Sequence, residues 1–165
     1  MKKLYFPLML MAVGSLLLAQ TPQDFVGTWK SDPGTPTMTR KLEFDGHVIL
    51  MTELQPGRNG GPEMIIIRKY PTDGNEVKME TGVWAGATAV GKWENGILTV
   101  DTTMANGRKF HDVWTLSADK KHYSNEMVIS GGGAGGGGTK GGEGGQGGNA
   151  QGSTRTVKFS FTKQE

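Results

Sequence analysis

The chain has no cysteine, which excludes structural disulfides, thiolate chemistry and attachment to lipid through an amino-terminal cysteine. It has no excess of either charge: 18 lysines and arginines stand against 16 acidic residues, so nothing points to nucleic acid as a partner. Histidine is scarce, at positions 47, 111 and 122 only, without the His-x-His or His-Glu-x-x-His spacing of a metal site. His111 and Asp112 cannot act together on a strand, because neighbours point to opposite faces. His47, His111 and Glu126 could share a metal only by meeting across strands. There is no Gly-x-Ser-x-Gly elbow. Gly138-Thr139-Lys140 is not a phosphate loop, since the residue order is wrong and no helix follows. The expectation is a protein that is not an enzyme, with no catalytic residues, no metal and no cofactor.

Long apolar runs are also missing, save one. Met1-Lys2-Lys3 precedes sixteen mostly apolar residues, Leu4 to Ala19, and the chain then turns polar at Gln20-Thr21-Pro22. A basic start, a short apolar stretch and a small residue at its end form a secretory signal. The run is shorter than the roughly 20 residues a membrane span needs. Cleavage is expected after Ala19, leaving residues 20–165 as one domain, periplasmic or secreted, with no membrane span. Losing Lys2 and Lys3 takes the formal charge from +2 to 0.

What the chain has in plenty is turn punctuation: Asp45-Gly46, Asn59-Gly60, Asp73-Gly74, Asn95-Gly96, Asn106-Gly107 and Ala118-Asp119-Lys120. Asn-Gly and Asp-Gly supply the positive φ angles of tight hairpins. No segment of the remaining chain sustains a helical period. The runs between turns predict strands at 25–30, 37–44, 47–54, 63–70, 75–81, 84–93, 96–104, 108–116, 121–130 and 153–162. The last is the clearest, with Val157, Phe159 and Phe161 alternating with Thr156, Lys158, Ser160 and Thr162. A meander of this length hides its edges best by pairing its first strand with its last, so an all-β, up-and-down antiparallel barrel of 8 to 10 strands is predicted, with a two-sheet sandwich as the competing solution. Between the last two strands, 14 of the 22 residues from Gly131 to Gly152 are glycine, a composition that predicts a flexible, disordered loop at 131–152.

The first strand carries the most specific motif, Phe25-Val26-Gly27-Thr28-Trp29-Lys30. It resembles the opening of the calycins: lipocalins begin Gly-x-Trp, and fatty-acid-binding proteins begin Phe-x-Gly-x-Trp-Lys, met here by Phe25, Gly27, Trp29 and Lys30. It is similar too to secreted bacterial proteins whose first strand reads Gly-Thr-Trp-Lys. The physical sense is that glycine lets the strand bend across a barrel floor which tryptophan plugs. The resemblance extends to Arg155, which matches the arginine that lipocalins stack on that tryptophan. Fatty-acid-binding proteins use Arg-x-Tyr there to grip a carboxylate, but Val157 stands in place of the tyrosine, so stacking of Arg155 on Trp29 is the expected role. Ser31-Asp32-Pro33-Gly34-Thr35-Pro36 cannot form the helical lid of the intracellular members.

Alternation then places Arg40, Arg68, Asp112 and Asn125 in rows with Leu42, Ile66, Trp114 and Met127. Apolar walls with a few converging polar groups are the usual design of a small-molecule site. The candidate ligand-binding residues are therefore Arg40, Arg68, Trp84, Trp93, Phe110, Asp112, Trp114, Asn125, Arg155, Phe159 and Phe161, and the resemblance implies a small apolar or amphipathic ligand. Two alternatives stand beside it. Arg40 or Arg68 could simply pair with Asp112, or the registers could slip by one and turn these groups to water. The protein would then be a structural or interaction module with a filled core.

Overall fold

Hairpin chemistry dominates the architecture from the first turn to the last. The computed structural model describes residues 19–34, 36–57, 61–131 and 154–165; the signal segment up to residue 18, Asn59-Gly60 and all but the first residue of the glycine-rich stretch lie outside them. Among the described residues ten strands form one antiparallel sheet: β1 (Gly27–Ser31), β2 (Thr39–Phe44), β3 (Val48–Gln55), β4 (Met64–Pro71), β5 (Asp73–Lys78), β6 (Thr88–Glu94), β7 (Ile97–Thr103), β8 (Lys109–Leu116), β9 (His122–Ser130) and β10 (Arg155–Lys163). Helix is limited there to two 3-10 turns, Pro22–Phe25 and Gly82–Trp84, and no helix among the described residues is long and apolar enough to cross a membrane.

The strand order is β4-β3-β2-β1-β10-β9-β8-β7-β6-β5. The first strand pairs with the last, Trp29 opposite Lys163, as the meander requires, and the sheet curls into a nearly closed up-and-down barrel. A seam is left between its two end strands, β4 and β5, which follow one another through Thr72 and share no hydrogen-bonded ladder. The seam is drawn together at one end, where the Trp93 amide donates to the Thr72 carbonyl at 2.9 Å. Gly91 permits that approach: a methyl there would stand 2.3 Å from the Pro71 carbonyl oxygen and 2.6 Å from Val100 Cγ2.

Two sequence expectations change here. Asp73-Gly74 is not a hairpin turn but the start of β5, where the register with β6 shifts in a bulge between Asp73 and Glu76, Gly74 taking φ +87°. The strand expected at 84–93 begins only at Thr88, and Trp84 sits in the Gly82–Trp84 turn instead. Both segments have weak alternation, so turn and bulge geometry decides their path. The Asn95-Gly96 hairpin, by contrast, has both residues at positive φ, 51° and 82°, as a primed turn needs.

One end of the barrel is sealed. Phe25, Trp29, Trp114, Tyr123 and Phe161 are buried there, with Tyr123 stacked between Trp114 and Phe161 at 5.3 and 4.7 Å. The Pro22–Phe25 turn caps this floor. Trp29 Nε1 donates to the Phe25 carbonyl at 2.7 Å, and Asp24 receives Lys120 Nζ at 2.9 Å.

Candidate ligand-binding site

Above the aromatic floor lies a belt of charge that alternation turned inward from four walls. Arg40 on β2, Glu53 on β3, Arg68 on β4 and Asp112 on β8 are at most 5% exposed. Arg40 Nε donates to Glu53 Oε2 at 2.5 Å, and its Nη1 reaches the Tyr123 hydroxyl at 3.1 Å and Asn125 Oδ1 at 3.3 Å. Asn125 Nδ2 donates to Asp112 Oδ1 at 3.0 Å, while Arg68 Nη2 donates to Asp112 Oδ2 at 2.8 Å. Glu53, Arg40, Asn125, Asp112 and Arg68 thus form one continuous network across the barrel.

Aromatic faces hold both guanidinium groups in place. Arg40 lies 4.2 Å from the Phe161 ring centre; Arg68 lies 4.0 Å from Trp84 and 4.7 Å from Tyr70. Burial works against the charge of Arg40, but Tyr123 and Glu53 beside it hold its pKa above the ordinary value. Burial also pushes the Tyr123 hydroxyl up to about 12, against the opposing pull of Arg40, and raises Tyr70 further, so both phenols stay protonated. Four buried polar atoms have no hydrogen-bond partner among the described residues: Arg68 Nε, the Tyr70 hydroxyl, the Thr102 hydroxyl and Trp114 Nε1. Most buried polar groups in folded proteins are bonded, and each exception costs about 1–3 kcal/mol.

A cleft of about 470 Å³ is lined by Pro36, Thr37, Met38, Gln55, Pro56 and Phe159. Gln55 joins it to the belt, because its Nε2 donates to Glu53 Oε1. Chemically, the interior offers hydrogen-bond donors and ring faces, with its positive and negative charges matched.

Of the residues singled out from sequence, Arg40, Arg68, Phe110, Asp112, Trp114, Asn125 and Phe161 are buried inside the barrel, and Phe159 and Trp84 are half-buried. Trp93 packs edge-on against Phe25 at 5.7 Å and belongs to the floor. Arg155 is a correction. The register of β1 with β10 sets Lys163 opposite Trp29, and it is Lys163 Nζ that lies 5.2 Å from the Trp29 ring. Arg155 pairs with Ile129 at the far end of β10 and is exposed, so the stack on Trp29 is not made. Phe25, Gly27 and Trp29 shape the floor as the motif implies, Gly27 at φ +139°, whereas Lys30 is exposed. His47 pairs with Asp73, His111 with Asp101 and Glu126 with Lys158, and no group of three such residues able to hold a metal stands together among the described residues.

Glu53, Tyr70, Thr102 and Tyr123 are polar interior residues that sequence reasoning missed. The signal was present: Glu53 shares a strand face with Ile49 and Met51, and Tyr123 shares one with Asn125.

Fold and site together describe an up-and-down β-barrel with a sealed aromatic floor and a buried polar belt. No family description and no curated protein matches the chain. Among solved structures it is similar to the crystal structure of a point mutant of the fluorescent protein UnaG, with a TM-score of 0.46 and 14% identity over 86% of this chain and 96% of that one.

Proposed function

We propose that the protein is an exported, non-catalytic barrel of calycin type that binds a small apolar or amphipathic molecule above its aromatic floor. The observation that carries this is the buried charge network together with four unbonded polar atoms in the interior, Arg68 Nε among them. A barrel selected only for stability would gain by replacing such groups with apolar ones of similar shape. Their presence fits a surface kept ready for a ligand, and a cleft opens beside Gln55, which donates to Glu53 of the network. Export belongs to the same reading and rests on the signal pattern of residues 1–19.

The test is native mass spectrometry of the protein purified from its own host, with tryptophan fluorescence titrated by fatty acids, isoprenoids and aromatic metabolites. Trp84 and Trp114 border the belt, so an occupant should quench saturably. A co-purifying small molecule or saturable quenching is the expected result. The tight packing of Phe25, Trp29, Trp114 and Tyr123 favours a second reading, a filled-core interaction module. An empty protein that quenches with nothing would leave that one standing.

A further inference from the structure

The charge pairing of the belt also bears on the kind of ligand such a barrel would take. Its two guanidinium groups each face a carboxylate, Arg40 with Glu53 and Arg68 with Asp112. An anion brought among them would be desolvated where, among the described residues, both buried guanidinium groups already face a carboxylate, whereas a neutral molecule incurs no such cost. The unbonded atoms define the complement. Arg68 Nε and Trp114 Nε1 can only donate, and the hydroxyls of Tyr70 and Thr102 can donate as well. What satisfies them is an acceptor.

The way in is marked by the seam. β4 and β5 share no ladder, and the turn that carries Trp84 packs against β4, with the indole ring over the Arg68 guanidinium and 4.7 Å from the Phe110 ring. Trp84 is half-buried and rides on a short turn bounded by Gly82 and Gly86, both at positive φ, 71° and 82°. The exposed part of β4 and the turn itself are apolar: Met64, Ile65, Ile67 and Val83 are 43%, 61%, 41% and 61% exposed. A flat ligand ring can replace the indole on Arg68 and preserve the cation–π contact.

We infer that the barrel takes a neutral, largely apolar, planar molecule bearing a hydrogen-bond acceptor such as a carbonyl, admitted at the β4–β5 seam by displacement of Trp84. This rests on the binding-barrel reading above.

Three probes with one ring system separate the possibilities: methyl anthracene-9-carboxylate, the anthracene-9-carboxylate anion and 9-methylanthracene, titrated against the wild-type protein at neutral pH. The ester should bind about tenfold more tightly than the anion and about three- to tenfold more tightly than the hydrocarbon, the range a net hydrogen bond supplies. Tyr70→Phe and, independently, Thr102→Val, each checked for native near-UV circular dichroism, should narrow the preference for ester over hydrocarbon without weakening the hydrocarbon. Trp84→Ala should speed association several-fold. An anion that binds as well as the ester, or a hydrocarbon that does so, would overturn the ligand class while sparing the binding barrel. An unchanged association rate in Trp84→Ala would overturn the route. Failure of all three probes with wild type and with Trp84→Ala would remove the binding-barrel reading itself.

Discussion

Single side chains in the belt differ in what their loss should do, because some are bonded and others are not. Asp112 is fully buried and accepts from both Arg68 and Asn125. Asp112→Ala should therefore destabilise the fold by about 3–5 kcal/mol in urea denaturation, since it leaves a buried guanidinium without its counter-charge. Replacing both partners, as Arg68→Met with Asp112→Leu, should recover most of that loss. The two buried tyrosines make a sharper contrast. Tyr123 accepts a hydrogen bond from Arg40, and Tyr123→Phe should cost about 1–2 kcal/mol. Tyr70 has no such partner among the described residues, so Tyr70→Phe should be neutral or stabilising by about 1 kcal/mol in the ligand-free protein. A clear loss of stability in Tyr70→Phe would mean that its hydroxyl is already satisfied.

At the scale of elements, the plug over the floor depends on a local charge pair. Burial alone would raise the Asp24 carboxyl, but hydrogen bonds from Lys120 and from the Thr21 amide outweigh it and hold the pKa below its usual 3.8. A depressed carboxylate stabilises the fold above its unfolded-state pKa, and that contribution fades as pH falls through the lower folded value. Asp24→Asn should accordingly lower stability at neutral pH, by less than about 1 kcal/mol because water screens the pair. The difference from wild type should shrink in thermal melts as pH falls below the ordinary carboxylate value and vanish once Asp24 is protonated in the folded state too. Closure of the barrel rests on a different contact. Any side chain at Gly91 would press on the Pro71 carbonyl and Val100, and Gly91→Val should cost about 1–3 kcal/mol by overpacking. The same change should loosen the hydrogen bond from Trp93 to Thr72.

For the molecule as a whole, the seam should be where the barrel opens. Strands β8 and β9 have ladder partners on both sides, whereas β4 pairs only with β3 among the described residues. Amide hydrogen exchange should be fastest in the outer half of β4, around Met64–Ile67, and slowest in β8 and β9, because an edge strand opens without unfolding the rest. Ligand at the seam should slow exchange there selectively.

Much of this design was legible in the chain. Period-two alternation and Asn-Gly or Asp-Gly turns outlined an antiparallel meander of 8 to 10 strands, though not the path at Asp73-Gly74 or at 84–87, and the resemblance of the Phe25–Lys30 motif implied a tryptophan floor, because both depend on residues close in sequence. The same alternation placed Arg40, Arg68, Asp112 and Asn125 inside. It also contained Glu53, which shares a face with Ile49 and Met51, but an isolated acidic residue near a strand end reads as solvated until its partner is known. Only the tertiary structure decided which charges meet, since Arg40 chooses Glu53 over Asp112 through cross-strand register. Register likewise put Lys163, not Arg155, beside Trp29. The seam at β4 and β5 belongs to the whole, nearly closed barrel: local patterning sets strand faces, but the curvature that joins distant strands sets where closure fails.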